Sequence, residues 1–301
     1  MTITTTKTTS ALAVAALVFA IAPAAVHAAG VYSSSSGVTA GAIDNPIKRA
    51  DIAIWENAVA SYAPAPGVSA SFSNPTTGLA SLGDLYNPLA PPANPSLGLI
   101  GNTAPGSITL TFANSIYDGP GADFAVFENG FANGSGALFA EFAYVEVSSD
   151  SIHFARFDSI SLNTAPVAGS GAFAYFDMTN VYNLAGKHAA NWGTPFDLSQ
   201  LANHDFVTDG FLDLAAINYV RLVDVVGSGS IKDGNGAEIP GIAKDSLGNP
   251  ILDNWVTTGS GGFDYPGLPA GGIGVLHAIP EPGALTLAAL LATLGLAKRR
   301  R

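Results

Sequence analysis

In Ser107-Ile108-Thr109-Leu110-Thr111-Phe112 every second residue is apolar. Side chains of an extended chain point alternately to opposite faces, so the run fits a strand with one buried face. Phe142 to Ser148 repeats the pattern, with Ala143, Val145 and Val147 on one side, and Ser149-Asp150-Ser151 then turns the chain into His153 to Phe157 as a hairpin. Tyr219 to Val226 reads as a further strand. Asp123 to Phe127, apolar on both faces and preceded by the turn Asp118-Gly119-Pro120-Gly121, reads as a central one. With 34 glycines, 19 prolines and only 12% charged residues, short strands and many turns are favoured over long amphipathic helices. The strands are regularly spaced and show no βαβ alternation. This predicts a mostly β chain, an antiparallel β-sandwich or jelly roll with a few short helices.

One of those helices, of about four turns, is expected from Asn45-Pro46 onward, where Ile47, Ile54, Ala58 and Tyr62 recur at near-helical spacing before Pro64 and Pro66. A shorter one is expected to start at Thr194-Pro195-Phe196-Asp197-Leu198. Gly67 to Gly106 and Gly227 to Asn254, rich in Gly, Pro, Asn and Asp, read as loop. No internal repeat is evident.

The two ends read as targeting segments. Met1 to Lys7 is polar with one positive charge, Ala11 to Ala24 is apolar, and Val26-His27-Ala28 suits a signal-peptidase site, with cleavage between Ala28 and Ala29. At the other end, Pro280-Glu281-Pro282 precedes an uncharged run from Gly283 to Ala297 and then Lys298-Arg299-Arg300-Arg301. Fifteen residues are marginal for ~30 Å of hydrocarbon, and the terminal bases would stay on the cytoplasmic side. This suits a temporary hold in the membrane better than a permanent span. The prolines around Glu281 keep that segment extended, where a processing enzyme can reach it.

The ordered trio of Pro-Glu-Pro, apolar helix and basic tail, over about 22 residues, resembles the PEP-CTERM sorting signal of Gram-negative bacteria that make exopolysaccharide. That resemblance implies export through the inner membrane, an exosortase-type processing enzyme as a partner beside signal peptidase, and residence at the cell surface or in the extracellular matrix. Between the ends, Ser107 to Phe112, Asp118 to Gly130, Glu141 to Ser149 and Val220 to Gly227 resemble a recurrent bacterial cell-surface domain, over about Ala50 to His277. It implies a β-sandwich ectodomain and brings no activity with it. The expected organisation is therefore a signal peptide (1–28), a flexible Ser-rich lead-in (29–44), the β-sandwich (45–278) and the sorting signal (279–301).

Lys7 and the last four bases belong to the ends. Without them and Glu281, seven basic residues face 22 acidic ones, which disfavours nucleic acid as a partner and favours cations. There is no cysteine, so disulfides, thiolate metal sites and a Cys nucleophile are excluded. Gly-x-Ser-x-Gly, His-Glu-x-x-His and phosphate-loop motifs are also lacking, and the chain reads as non-enzymatic.

Its acidic and amide residues gather at strand ends and turns, where a hard cation such as calcium finds several oxygens together. Asp118, Asp123, Glu128, Asn129, Glu141, Asp224 and Asp264 are the candidate ligands. Asp224 is the most pointed, because alternation puts it on the buried face of Val220 and Leu222. Lys187 and His188, with Trp192 just beyond, offer a sugar-binding loop for exopolysaccharide. Expected, then, is an exported surface or biofilm-matrix protein that binds calcium and polysaccharide. The alternative is a secreted carbohydrate-active hydrolase using Glu128 or Glu141.

Overall fold

The computed structural model describes residues 30–65, 68–69, 71, 73–76, 79–82, 105–133, 137–162, 175–225, 244–251, 262–268 and 271–280. The signal peptide and all of the sorting signal except Ile279 and Pro280 lie outside them, as do Trp255 and most of the loop expected at Gly227 to Asn254. No helix among the described residues is long and apolar enough to cross a membrane.

The described chain is mostly β. Its first strands are β1 (Ile47–Lys48), β2 (Ile54–Trp55), β3 (Ala58–Ala63), β4 (Ala80–Ser81), β5 (Ser107–Ile116), β6 (Phe124–Val126), β7 (Phe131–Ala132) and β8 (Leu138–Phe139). Then follow β9 (Ala143–Ser148), β10 (Ala155–Arg156), β11 (Ile160–Ser161), β12 (Val181–Tyr182), β13 (Trp192–Phe196), β14 (Ile217–Asp224), β15 (Asp264–Tyr265) and β16 (Ile273–Val275). Helix is confined to short 3-10 turns, such as Leu198–Leu201, and one α-helical turn, α1 (Asp205–Thr208).

Two five-stranded sheets dominate, in the orders β1-β13-β6-β16-β2 and β10-β9-β14-β5-β3. Every pairing within them is antiparallel. The strands expected from alternation at 107–112, 142–148 and 219–226 are adjacent in the second sheet, with β14 in the middle. Its register sets Val220 between Leu110 and Val147, and Leu222 between Ile108 and Val145. These side chains enter one apolar cluster that also takes Phe124, Val126, Phe196, Ile273 and Val275 from the first sheet. Phe124 stacks on Phe196 at 5.4 Å, and Phe157 meets both rings edge-on. Burying such side chains stabilises by about 1.5–3 kcal/mol each.

The opposite face of β9 and β14 carries Glu146 and Arg221 beside Tyr144 and Val223, which enter a second apolar cluster. Arg221 and Arg156 both stand opposite Glu146. Glu146 accepts from Arg221 Nε at 2.5 Å and from Arg156 Nη2 at 2.7 Å.

Two expectations are corrected. Asn45 to Tyr62 is not a helix: Ile47 pairs with Gly193, Ile54 with Val275 and Ala58 with Thr111. These strands join different sheets, and cross-strand bonds to distant residues override a spacing that looked helical. Thr194 to Phe196 is likewise strand, and the short helical turn begins only at Leu198 (Leu198–Leu201), capped by Asp197 accepting from the Ser199 N–H. Within the segment expected as a lead-in, Ser33, Ser35 and Asp44 are buried while Val31, Val38 and Ile43 are exposed. Ser33 N–H donates to Asp44 Oδ1 at 2.7 Å, and Ser33 Oγ donates to the Asp44 carbonyl at 2.8 Å.

Candidate functional site

The central strand of the first sheet carries an acidic residue just beyond each end. Before β6 lies Asp123, where the end of β13 and the end of β16 converge, because both pair with Phe124. Asp123 is fully buried, and its carboxylate is well supplied with donors. Oδ1 accepts from Gly119 N–H and meets His277 Nδ1, both at 2.7 Å, while Oδ2 accepts from Leu198 N–H at 2.7 Å. Asp118, Asp123 and Asp197 have oxygens within 4.8 Å of one another. Burial and the two neighbouring carboxylates raise the pKa of Asp118. The hydrogen bonds of Asp123 account for it as a structural tie between three chain segments.

Beyond the other end of β6 lies Glu128, only 2% exposed. Its Oε2 accepts from Gly130 N–H at 2.5 Å, and its Oε1 is buried with no hydrogen-bond partner. Asp264, on β15, is the neighbouring charge. Asn129 Nδ2 donates to Asp264 Oδ2 at 3.4 Å, and Asp264 Oδ1 is the second buried oxygen without a hydrogen bond.

Desolvation, with Asp264 adding to it, pushes Glu128 well above the usual carboxylate range, and desolvation pushes Asp264 up to about 6. The charge of the half-buried Asp264 bears on the buried Glu128, and a proton or a cation would relieve that repulsion. Glu128, Asn129 and Asp264 each carry side-chain oxygen of the kind a hard divalent ion takes.

Asp118 and Asp123 lie at the opposite end of β6. Asp224 is buried as alternation required, and its Oδ1 accepts from Phe263 N–H at 2.9 Å. Glu141 precedes β9, and its carbonyl packs against Gly186. There φ is +83°, and a Cβ would lie 2.0 Å from that oxygen, so the loop Gly186-Lys187-His188 is built around a glycine.

Lys187 and His188 are buried, at 0% and 1% exposure, so they do not share a surface loop with Trp192. Trp192 instead lines a groove of about 420 Å³ with Lys48, Arg49, Ala50 and Asn191, and Lys48 Nζ stands 5.6 Å over its ring.

Sequence reasoning missed Glu56, Asp197 and His277. Glu56 is nearly fully buried, and its Oε1 and Oε2 accept from Tyr265 Oη, Gly272 N–H and Ile273 N–H at 2.6–2.9 Å. It was hidden inside the expected helix. Asp197 had a local signal, its place before a short helical turn. His277 had none, since its partner is 154 residues away.

No protein-family model matches the chain, and a comparison with curated proteins gives no match.

Proposed function

We propose that this chain is an exported bacterial protein of the cell surface or biofilm matrix, non-enzymatic, whose antiparallel β-sandwich holds calcium and contacts exopolysaccharide. The observation that carries the reading is the sequence of the two ends: a signal peptide with cleavage between Ala28 and Ala29, and a Pro280-Glu281-Pro282 motif followed by an apolar run and four bases. Signal peptidase and an exosortase-type enzyme are its processing partners. The C-terminal apolar helix holds it in the inner membrane until processing.

The sandwich reading is supported by one apolar cluster shared between two antiparallel sheets. Calcium is supported by the buried, unbonded oxygens of Glu128 and Asp264 beside Asn129. A glycan surface is supported by the groove at Trp192, where an aromatic ring adjoins Lys48, Arg49 and Asn191.

In the hydrolase alternative Glu128 would serve as a general acid, and its raised pKa suits that role. Its 2% exposure leaves a glycan no approach.

Incubating the purified protein with bacterial polysaccharides distinguishes the readings. Expected is retention without product release, with Trp192→Ala lowering affinity by about tenfold. Release of sugar that disappears in Glu128→Gln would favour the hydrolase.

A further inference from the structure

Lys187 sits at the end of the glycine-built loop with no exposed surface. Its Nζ donates to Asp44 Oδ2 and, at 2.8 Å, to the Val181 carbonyl. Asp44 is itself 1% exposed, 143 residues away in sequence, and held from its other oxygen by Ser33 N–H at 2.7 Å. The ring of Tyr32 lies 5.3 Å from Nζ and stacks on Tyr182 at 5.1 Å, so aromatic carbon walls the pair. Next to Lys187, His188 is buried with no hydrogen bond to either ring nitrogen. It is electrostatically coupled to both Lys187 and Asp44.

A buried ammonium and carboxylate are costly to keep apart from water. Moving one proton from Nζ to the carboxyl leaves a neutral amine against a neutral acid. Desolvation already draws Lys187 down to about 8, and it draws His188 down to about 3, so the neighbouring imidazole is neutral and adds no charge to the pair. A primary amine and a carboxylic acid fixed in contact, away from water, are the reactants of an amide. Fixed contact of this kind is equivalent to an effective concentration of roughly 10⁵–10⁸ M.

We propose that Lys187 and Asp44 form an intramolecular isopeptide bond. The Nζ lone pair attacks Asp44 Cγ and forms the C–N bond. The tetrahedral centre then expels the former carboxyl hydroxyl, breaking the C–O bond. The proton shed by nitrogen passes directly to the departing oxygen, which leaves as water, and no oxidant or reductant is needed. The product is a covalent tie between the segment 30–44 and the loop before β13. It braces a chain that has no cysteine for disulfides.

Peptide mapping of the purified full chain by mass spectrometry tests this directly. Trypsin does not cut after an acylated lysine. Expected is one branched peptide that joins the stretch containing Asp44 to an uncut stretch through Lys187, lighter than the sum of its parts by one water. In Asp44→Asn the joined peptide would instead form by loss of ammonia from the side-chain amide. Lys187→Arg is expected to abolish the branch and lower Tm by about 10 °C or more, as loss of a long-loop cross-link would. Ordinary cleavage after Lys187 in the wild-type protein, with no branched peptide, would overturn the proposal whatever the variants do.

Discussion

Asp123→Ala is expected to lower the stability of the protein by about 3–4 kcal/mol, which corresponds to a Tm lower by roughly 10 °C. The side chain is fully buried, and its two oxygens serve Gly119 N–H, Leu198 N–H and the His277 ring. Alanine would leave these donors without an acceptor at the point where β13, β16 and the turn before β6 meet. Asp123→Asn keeps one oxygen acceptor and should lose about half as much. Urea unfolding of the two variants against the wild type checks this, and a loss under about 1 kcal/mol for Asp123→Ala would contradict the structural role given to the residue.

The second large effect concerns Glu128 and Asp264, and its sign depends on what neutralises them. Without a cation, both carboxyls have folded-state pKa values raised above their ordinary ones, Asp264 from 3.8 to about 6. The fold therefore prefers their protonated forms. For Asp264 that stabilisation is fully present below about pH 4 and is lost as pH rises through about 6, and Glu128, raised in the same direction, adds a loss of the same sign. For Asp264 alone the change is about 3 kcal/mol.

The proposed calcium would take the place of the protons at neutral pH. It should restore about 2.7 kcal/mol at a hundredfold excess over its Kd, raising Tm by roughly 5–10 °C. Glu128→Gln removes a charge without removing volume. It should make the cation-free protein more stable at pH 7 and abolish the calcium response. Thermal melts of chelator-treated protein between pH 4 and 8, with and without calcium, measure all of this. A calcium-independent melt that falls with pH would leave the pair as a proton-sharing site.

The parts of the fold legible in the sequence were the longer strands in which an apolar residue recurs at every second position. Ser107–Ile116, Ala143–Ser148 and Ile217–Asp224 announce themselves because Ile108, Val145 and Leu222 alternate with residues that face away. Ile47, Ile54 and Ala58 misled because the strands that hold them are as short as two residues. Over such lengths a period of two cannot be told from a period of 3.6, and the decisive partners lie in strands far along the chain.

The candidate site was legible in kind but not in grouping. Glu128, Asn129 and Asp264 were each marked by their places at strand ends, yet Asn129 and Asp264 are 135 residues apart and come together only through the sheets. Asp123, marked in the same way, is a structural tie instead. Lys187 and His188 read as a surface loop because a Gly-Lys-His sequence is usually exposed, and nothing local reveals that Asp44 and Tyr32 close over it.

The proposed fate of the protein is tested most directly by fractionating cells of an exopolysaccharide-producing Gram-negative host with and without its exosortase. With the enzyme, the protein is expected at the cell surface or in the matrix, shortened at Ala29 and near Pro280-Glu281-Pro282. Without it, the full C-terminus should be retained in the inner membrane. Identical size and location in both strains, or a cytoplasmic chain that still begins at Met1, would contradict the reading.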